Sequence, residues 1–451
     1  MVKANLISSE SSISFPARLL DKLRRMEMQN ALKLACFTIS ILLLSCTQDK
    51  RGGSEWASEY PHAFEITAEN KADLVQNDAV VVLSIVELKA KHQDFNPHAF
   101  IILDKNQEVP SQTMDNNADG TLDELAFLAN FDANEARKLT VRYAASGKKT
   151  RDYRQRAQAE LSRKFGGEWQ GDKYIGGSFQ NVNASGVRKW HTDHTEFFRY
   201  EGPGWESDKI GYRFYLDWRN AIDIYGKKTT GMVLQNVGLD GYDSYHEMAD
   251  WGMDVLKVGE SLGIGSIGMW VNDKAVRINK IDSIWCEIVA SGPIYAQIRT
   301  NYYGWDIDGA KIDLVSNLSI AAGSRMTKHS LAVRGNLPNL CTGLVKEKGV
   351  DYFASEQKDD GEWQYIANYG KQSLAGDLLG MAVLYRQADL LEQAEDELSR
   401  VVVLQPNAGK LDYYFLAAWE KEPNGITSKE EFIHYLDEVL MELDRSITVS
   451  F

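Results

Sequence analysis

Groups able to transfer protons are concentrated between residues 188 and 251, a stretch rich in histidine, carboxylate, tyrosine and guanidinium side chains. Two of its histidines, His194 and His246, lie close to carboxylates in the sequence. Histidine exchanges protons near neutral pH, and a nearby carboxylate fixes its tautomer and raises its basicity. We therefore predict that His194 and His246 act as acid and base, with Tyr245 as an alternative proton donor. A hydrogen-bonded structural role is the alternative for each histidine.

Aromatic surface is concentrated in the same region, because eight of the eleven tryptophans fall between positions 169 and 305. Flat apolar rings beside charged and amide groups suit sugars, whose faces present C–H groups and whose edges present hydroxyls. The region therefore predicts a sugar-binding site. Packing inside a large β-sheet is the alternative use of these rings.

Two sequence patterns contain the residue types of a metal site. The first resembles the start of a calcium loop, D-x-N-x-D-G, which needs side-chain oxygens on alternating residues. Its residues are Asp115, Asn117, Asp119 and Asp123. Ala126 stands where a calcium loop closes with glutamate, so the pattern predicts either a variant structural calcium site or a hairpin turn. The second pattern, His191 and His194 with Glu196, lacks a confirming partner for zinc. We predict no required cofactor.

The charge of the chain limits its partners. A formal net charge of −14 and a pI near 5.2 disfavour nucleic acid, because phosphate backbones are held by clustered lysine and arginine. An anionic sugar requires a local basic pocket that overrides the acidic surroundings. At 451 residues the chain is long enough for two domains with their own cores.

The N-terminal segment has the pattern of an export signal. A short apolar run at 34–44 follows Lys33 and ends at Cys46, in a sequence that resembles the lipobox of bacterial lipoproteins. The run is too short to cross a bilayer. We predict a signal segment at 1–45, lipidation of Cys46, a tether at 46–59, and a protein anchored to a membrane of the cell envelope, either the outer membrane or the periplasmic face. An ordinary buried helix is the alternative.

The remaining sequence is predicted to form three parts, at residues 60–148, 149–169 and 170–451. Short strands at 79–88, 99–103, 124–128 and 138–143, separated by turn residues, are typical of a small antiparallel β-sandwich. A polar linker helix is predicted between the two domains. Its apolar residues are spaced as in a helix from Thr150 to Phe165, and two glycines follow as the end of the helix.

The third part, 170–451, is strand-rich and ends in a helix. At 210–217 the residues alternate, so that Tyr212 lies on an apolar face and Arg213 on a polar and aromatic face. A capping box at Ser428 and an apolar stripe predict the C-terminal helix. Cys286 and Cys341 are either a disulfide or buried free thiols. Further strands are predicted at 285–289, 294–302, 312–320, 374–385 and 411–419.

Four sequence segments resemble the lipoprotein family called domain of unknown function 4861. They are EGPGWESD at 201–208, RNAIDIYGK at 219–227, the cluster that begins with Tyr245, and DNNADGTLDEL at 115–125. The resemblance covers most of residues 60–450. It implies a mainly β fold, in which a small N-terminal sandwich precedes a large galactose-mutarotase-like supersandwich with a C-terminal helix.

The resemblance also implies a role in polysaccharide degradation on anionic, uronate-containing oligosaccharides. The implied activity is that of a carbon–oxygen lyase, the dehydration of ulvan-derived oligosaccharides. For such a reaction, chemistry assigns Arg213 and Arg219 as clamps for a carboxylate or sulfate, and two tryptophans as stacking surfaces. Besides the catalytic His194, His246, Tyr245 and Arg213, the predicted substrate-binding residues are Trp205, Glu206, Arg219, Lys227, Glu247 and Trp251.

Two other functions remain open on sequence grounds. One is a glycoside hydrolase or an aldose epimerase of the same fold, with Glu206 and Glu247 as paired carboxylates. The other is a glycan-binding lipoprotein without catalysis, in which the aromatic rings and arginines serve retention only.

Overall fold

The computed structural model describes residues 53–451, apart from positions 243, 308, 336 and 357–360. The predicted signal segment, 1–45, and the predicted lipidation site, Cys46, therefore lie outside the described residues. In the described part of the chain, no helix has both the length and the apolar character that a membrane span requires.

The end of the predicted tether is folded. Residues Gly53–Glu59 form helix α1, whereas 46–59 was expected to be an extended tether. Trp56 and Tyr60 are fully buried with Ile101 and Leu103 in one apolar cluster. Burial of two large aromatic side chains is a strong driving force, so this prediction was wrong for the second half of the tether.

Two facing antiparallel sheets form the N-terminal region. One has the strand order β28-β1-β7-β3-β4 and the other β2-β6-β5, and they enclose a core that includes Ile66, Val81 and Phe127. The N-terminal elements are β1 (His62–Glu69), β2 (Gln76–Ser84), α2 (Ile85–Lys91), β3 (Phe100–Asp104), β4 (Gln107–Val109), β5 (Ser111–Met114), β6 (Glu124–Phe131) and β7 (Ala136–Tyr143), and the last strand of the chain is β28 (Thr448–Ser450). Strands β3, β6 and β7 confirm their predictions. The predicted strand 79–88 ends at Ser84, whose hydroxyl caps α2.

Three sheets build the large body. Their strand orders are β10-β17-β18-β19-β20-β27-β24-β23-β22, β14-β13-β12-β11-β8-β9 and β16-β15-β21-β26-β25. The strands are β8 (Ala157–Gln170), β9 (Lys173–Asn181), β10 (Ala184–Val187), β11 (Phe198–Ser207), β12 (Ile210–Phe214), β13 (Ile222–Lys227), β14 (Gly252–Asp254), β15 (Gly268–Val271), β16 (Lys274–Arg277), β17 (Ser283–Ser291), β18 (Tyr295–Ile307), β19 (Ala310–Ala321), β20 (Met326–Arg334), β21 (Leu340–Val345), β22 (Asp351–Ala354), β23 (Trp363–Lys371), β24 (Leu378–Arg386), β25 (Leu390–Glu395), β26 (Ser399–Leu404) and β27 (Lys410–Trp419). The fold is mainly β, as expected, and one central apolar core joins the nine-stranded sheet to the other two sheets.

The predicted linker helix at 149–169 was wrong. Most of this segment belongs to β8, which pairs with β9 and β11. The apolar residues that suggested a helix, Ala157 and Leu161 among them, are four residues apart, and four is also a multiple of the two-residue repeat of a strand. Ala157, Ala159 and Leu161 are all buried in the central core, which is the strand pattern.

The alternation predicted along β12 is confirmed, but its polar face is buried as well. Tyr212 and Phe214 belong to the central core. Arg213 points to the opposite face, where it is 2% exposed. The segment between β13 and β14, residues 228–251, supplies the contacts that cover this second face. The polar side chains that were expected to contact a ligand on this face are therefore covered by other residues of the chain.

The C-terminal helix is confirmed. Helix α3 spans Lys429–Asp444, and the Ser428 hydroxyl accepts a hydrogen bond from the Glu431 backbone N–H at 3.2 Å. Phe432 and Leu436 are fully buried against the nine-stranded sheet. Cys286 and Cys341 are buried free thiols, which decides between the two alternatives for them. Residues 53–451 form one compact unit.

A buried histidine predicts how stability depends on pH. In β20, His329 contacts Ser316 Oγ and Tyr413 Oη at 2.7 Å each, and burial lowers the pKa of its imidazole to about 3. The unfolded chain binds this proton near pH 6.5. Between about pH 6.5 and about pH 3 the unfolded state binds the proton and the folded state does not, so stability falls as the pH is lowered.

From pH 6.5 to pH 4.5 we expect this histidine alone to remove about 2–3 kcal/mol from the free energy of unfolding. Urea denaturation of the wild type and of His329→Gln at both pH values measures it. The variant should be less stable at pH 6.5 but should lose less on acidification. Equal losses in both proteins would contradict a neutral, buried imidazole.

Candidate functional site

A pocket of about 690 Å³ opens where β8, β9 and β11 meet the segment 228–251. This volume falls in the usual range for small-molecule sites. Its walls combine glycine-rich backbone with aromatic, carboxylate and amine side chains. The lining residues are Lys164, Lys173, Gly177, Ser178, Phe179, His194, Glu196, Phe198, Tyr200, Glu201, Gly238, Leu239, Asp240, Gly241, Tyr242 and Tyr245.

A bulge in β11 brings Tyr200 and Glu201 into this pocket. Pairing of β11 with β8 shifts register between Phe198 and Pro203, and the bulged residues Tyr200 and Glu201 have φ angles of 38° and 71°. Such left-handed conformations are costly for residues other than glycine and persist only where surroundings enforce them. Tyr200 is held by its hydroxyl, which donates a hydrogen bond to Glu160 at 2.6 Å. The bulge re-aims two side chains that a regular strand would direct elsewhere.

Glu201 is a buried carboxylate with one oxygen unsatisfied. Its Oε1 accepts a hydrogen bond from the His194 backbone N–H at 3.0 Å and lies 2.8 Å from Arg219 Nη2. Its Oε2 has no hydrogen-bond partner among the described residues and lies 3.7 Å from Arg213 Nη1. Burial alone would raise the pKa of Glu201, but Arg213 and Arg219 outweigh burial and lower it. Oε2 is thus an ionised acceptor without a donor, and the atom itself is buried on the side of Arg213.

His194 lines the pocket next to the carboxylate of Asp193. Its Nδ1 lies 3.3 Å from Asp193 Oδ2, and its side chain is 48% exposed. The ring contacts Tyr242 edge-on, with 4.2 Å between ring centroids. A carboxylate at Nδ1 favours the tautomer that leaves the Nε2 lone pair free. The prediction that His194 exchanges a proton is therefore compatible with its position.

Tyr245 lines the same pocket, although it is only 2% exposed and its hydroxyl faces Arg213. Its Oη accepts a hydrogen bond from Arg213 Nη1 at 3.0 Å. Burial raises the pKa of Tyr245 above its ordinary value, although Arg213 opposes the shift, so the phenol is protonated at neutral pH. The adjacent guanidinium would stabilise the phenolate that forms when Tyr245 gives up its proton.

Arg213 lies behind Tyr245 in a charge network and does not reach the pocket. Its guanidinium binds Asp223 and Asp254 and donates to Tyr215 Oη at 2.8 Å. Burial and the neighbouring Asp223 raise the pKa of Asp254, whereas Arg213 opposes this shift. The prediction that Arg213 clamps the substrate was wrong, because the network encloses the side chain. Arg213 instead donates a hydrogen bond to the Tyr245 hydroxyl.

His246 also lies behind the pocket. Its Nδ1 lies 3.0 Å from the carbonyl oxygen of Tyr242, and its Nε2 lies 3.4 Å from Asp254 Oδ2. Its ring packs on Tyr245 at 4.5 Å and on Tyr242 at 5.1 Å. Burial lowers the pKa of His246, which favours the neutral ring. Since both nitrogens face protein atoms, the geometry supports a positioning role for His246 rather than the predicted proton exchange with substrate.

Three predicted substrate-binding residues are buried, and these predictions were wrong. Trp205, Glu206 and Lys227 are each 0% exposed. Glu206 forms an ion pair with Lys227 and accepts hydrogen bonds from the backbone N–H groups of Val233 and Leu234 at 2.8 and 2.9 Å. The pair therefore fixes the start of the segment 228–251. A buried charge needs such partners, and this explains the polar residues in an apolar strand.

Trp205 is expected to stabilise the core without contacting substrate. Its Nε1 donates a hydrogen bond to Thr327 Oγ1 at 2.9 Å, and its ring stacks on Tyr212. Trp205→Phe removes this bond and leaves a small cavity, so we expect a loss of about 1–3 kcal/mol in unfolding free energy with unchanged KM. Chemical denaturation measures the loss, and Trp190→Phe, a change at an exposed tryptophan, is the control. A raised KM at unchanged stability would restore the stacking hypothesis.

Arg219, Glu247 and Trp251 do not line the pocket. Arg219 is held by Asp217 and Glu201. Glu247 is exposed, and half-buried Trp251 packs edge-on against Tyr225 at 5.8 Å. Direct contact of these three residues with substrate stays a prediction. Arg219 has a clear alternative role, because it holds Glu201 in the ionised state.

The predicted metal patterns do not form ligand clusters. In the loop at 115–123, Asp115 Oδ2 accepts a hydrogen bond from Gly120 N–H at 2.7 Å, and Asp119 Oδ1 accepts one from Thr121 N–H at 2.8 Å, as in a tight turn. His191 lines a separate hollow and does not meet His194. Among the residues that the structure describes, no three histidine, cysteine or acidic side chains are grouped to hold a metal ion. Calcium binding at 115–123 stays a prediction.

Sequence reasoning missed several pocket residues. Lys164 and Lys173 come from the hairpin β8–β9, where a helix and an unassigned stretch were expected. Tyr242 was not singled out, although its ring contacts both His194 and His246. Glu201 stood in the polar stretch but without a role. If residues 157–170 had been assigned to a strand, the β8–β9 hairpin that carries the two lysines could have been predicted.

Comparisons with known proteins identify the family and show a distant likeness in fold. Among curated proteins, no sequence matches this chain. Two similar solved structures are a protein of glycosyl hydrolase family 38 from Enterococcus faecalis (9% identity, TM-score 0.40, 86% of this chain and 47% of that chain) and an alpha-mannosidase from Enterococcus faecalis V583 (10% identity, TM-score 0.41, 95% and 49%).

The chain spans about half the length of these two proteins, and a likeness this distant carries no information about activity. The family comparison is more specific. The model of the family described as domain of unknown function (DUF4861) matches residues 68–449, which include the whole pocket and the network behind it. The protein belongs to the DUF4861 family.

Proposed function

We propose that the protein is a carbohydrate-active enzyme that removes water from uronate-containing oligosaccharides, a carbon–oxygen lyase. One observation carries the proposal: a sugar-sized pocket holds a histidine base, a protonated tyrosine and an ionised carboxylate oxygen that lacks a donor. The first two are the groups that an elimination needs. The third suits a ligand rich in hydroxyls.

In the proposed reaction His194 is the base and Tyr245 the acid. The Nε2 atom of His194 takes the proton from the carbon next to the uronate carboxyl group. The released electron pair forms a double bond to the neighbouring carbon, and the hydroxyl on that carbon takes the Tyr245 proton and leaves as water. The product is the substrate minus one water, and proton return from His194 to Tyr245 through solvent restores the enzyme.

Hydroxyl groups of the sugar would be recognised by Glu201. A sugar hydroxyl donating to Glu201 Oε2 would supply the partner that this oxygen lacks, and this contact requires a local rearrangement that exposes the buried atom. Half-buried Phe179 and Tyr242 offer ring surfaces in the pocket, which replaces the stacking role predicted for Trp205. Arg213 and Arg219 keep Glu201 charged from behind and contact no ligand in this proposal.

Lys173 is the cation proposed to attract the uronate. Lys164 is paired with Glu196 at 3.1 Å, whereas Lys173 is exposed and forms no ion pair with the described residues. Exposed charge pairs contribute about 0.2–1 kcal/mol, so Lys173→Met should raise KM for a uronate substrate by up to about fivefold with kcat nearly unchanged. Steady-state kinetics test this. Lys105→Met, at an exposed lysine of the N-terminal sandwich, should leave KM unchanged, and equal values for both variants would contradict the assignment.

Mass spectrometry of reaction products tests the proposed activity. The protein spanning residues 47–451 is incubated with a panel of uronate oligosaccharides, including ulvan-derived ones, with and without a chelator. Loss of the mass of one water is the expected result. Gain of water across a split bond would show a hydrolase, and unchanged mass would leave an epimerase or a binding protein, so either result would overturn the lyase.

The positions of Glu206 and Glu247 do not support hydrolysis by this pair of carboxylates. Glu206 is 0% exposed and paired with Lys227, and Glu247 lies outside the pocket. Two flanking carboxylates must both reach the scissile bond in this mechanism. A non-catalytic glycan-binding role is the second candidate, since Glu201 and the aromatic rings would also serve retention.

A further inference from the structure

The outer face of the nine-stranded sheet carries its own set of sugar-compatible groups. Along β17 and β18 the buried side chains, such as Cys286 and Ile298, alternate with outward ones. Two of the outward side chains are large aromatic rings, Trp285 at 44% exposure and Tyr303 at 46%. Exposure of two large rings on one face is unusual for surface that has no partner.

The Trp285 ring packs beside a glycine of the neighbouring strand. Trp285 pairs with Gly186 of β10, and a Cβ at Gly186 would lie 3.5 Å from Cε3 and 3.6 Å from Cζ3 of the indole. The indole therefore packs next to the Gly186 backbone, while 44% of the residue stays exposed. Tyr303 pairs with Ser283, two residues from Trp285, so Trp285 and Tyr303 are diagonal neighbours on one face, with their Cα atoms about 7–8 Å apart.

A row of polar side chains runs across five strands beside these rings. Register places Glu287, Arg299, Asn317, Ser330 and Asp412 in line on β17, β18, β19, β20 and β27. With strands about 4.8 Å apart the row is about 19 Å long. It leads into a hollow of about 440 Å³ whose lining includes the last three of these residues.

Most charges in this row are already compensated. Arg299 Nη1 lies 3.2 Å from Glu287 Oε1, and Asp412 Oδ2 lies 3.2 Å from Lys328 Nζ. The row therefore presents an amide, a hydroxyl and charge-paired side chains to a ligand, next to the ring of Trp285. Asn301, directly opposite Trp285, adds an amide that forms no hydrogen bond with the described residues.

We propose that this trough, defined by Trp285, Tyr303, Asn301, the polar row and the hollow at its end, is a second binding surface for a polysaccharide chain. Ring faces stack on the C–H faces of sugars, while amides and hydroxyls bind sugar edges, and the length suits several sugar units. The trough shares no residue with the pocket on the six-stranded sheet. It binds without turnover and holds a polymer near the enzyme.

Affinity electrophoresis in native gels containing ulvan, and in parallel gels containing the neutral polymer xylan, tests this surface. The full chain is used in a Tyr245→Phe background, so that turnover does not alter the polymer. We expect retardation in at least one gel and an increase of about tenfold in the dissociation constant for Trp285→Ala. Asn301→Ala, which removes no internal hydrogen bond, should weaken binding in the same gel.

Trp190→Ala is the matched control, because Trp190 is exposed to a similar extent, 49%, but lies outside the trough. It should migrate like its parent. No retardation of the parent in either gel, or equal retardation of the parent and Trp285→Ala, would overturn the proposal. Turnover of short soluble oligosaccharides by Trp285→Ala alone should equal that of the wild type, and a loss of turnover there would assign Trp285 to the reaction instead.

Discussion

Tyr245→Phe is expected to lower kcat by about 10²–10⁴-fold, the usual contribution of a positioned proton donor. The substitution keeps the ring and removes only the hydroxyl that accepts a hydrogen bond from Arg213. Stability should fall by about 1 kcal/mol at most, since Arg213 retains Asp223 and Asp254. KM should change little, because the ring still closes the pocket. Single-turnover kinetics on a uronate oligosaccharide measure the chemical step directly.

Tyr242→Phe is the matched control for this prediction. Tyr242 lies in the same pocket, and its ring lies 6.0 Å from that of Tyr245. Removal of its hydroxyl should alter kcat by less than about tenfold if Tyr245 is the acid. His194→Gln should lower kcat as strongly as Tyr245→Phe, with partial rescue by added imidazole. Turnover by Tyr245→Phe near the wild-type rate would remove the tyrosine from the mechanism.

Arg213→Leu is expected to lower the free energy of unfolding by about 3–5 kcal/mol, the cost of leaving buried charges unpaired. The variant would strand Asp223 and Asp254, which are each about 1% exposed, without their cation. Urea denaturation followed by intrinsic fluorescence measures the loss. Adding Asp223→Asn and Asp254→Asn to Arg213→Leu should recover part of it, because the unpaired charges are then absent.

Arg334→Leu provides the comparison for Arg213→Leu. Arg334 is exposed at the end of β20, and surface changes of this kind usually stay within about 0.5 kcal/mol. A loss below about 1 kcal/mol for Arg213→Leu would mean that the carboxylates find other partners or become protonated. The view of Arg213 as the organiser of Tyr245 would then have to be abandoned.

Most elements that local sequence signals predicted are present in the structure, although many strands were not predicted, and pairing between distant segments explains the main misassignment. Helix α3 could be predicted because its capping box and its stripe of apolar residues lie within a few helical turns of each other. The stretch that became β8 was misassigned because its apolar spacing fits both a helix and a strand, and only its partners β9 and β11 decide between them. The lysines of the pocket were missed for this reason.

The sequence indicated which residue types form the site, but it did not indicate which way their side chains point. His194 and Tyr245 were predicted and do share a pocket. Trp205, Glu206 and Arg213 were predicted to face a ligand but are buried, since alternation along a strand cannot show whether its polar face is open or covered. The bulge that brings Glu201 into the pocket depends on a register shift, and no local pattern encodes it.

Four residues other than glycine that surround the pocket, His194, Glu196, Tyr200 and Glu201, have positive φ angles. Each such conformation costs on the order of 1–3 kcal/mol, so glycine at the two exposed positions, His194 and Glu196, would make the protein more heat-resistant while loosening the geometry that the reaction needs. Selection for catalysis and selection for thermal tolerance therefore oppose each other along this short piece of chain. Substitutions intended to raise thermal stability should therefore be made outside this stretch.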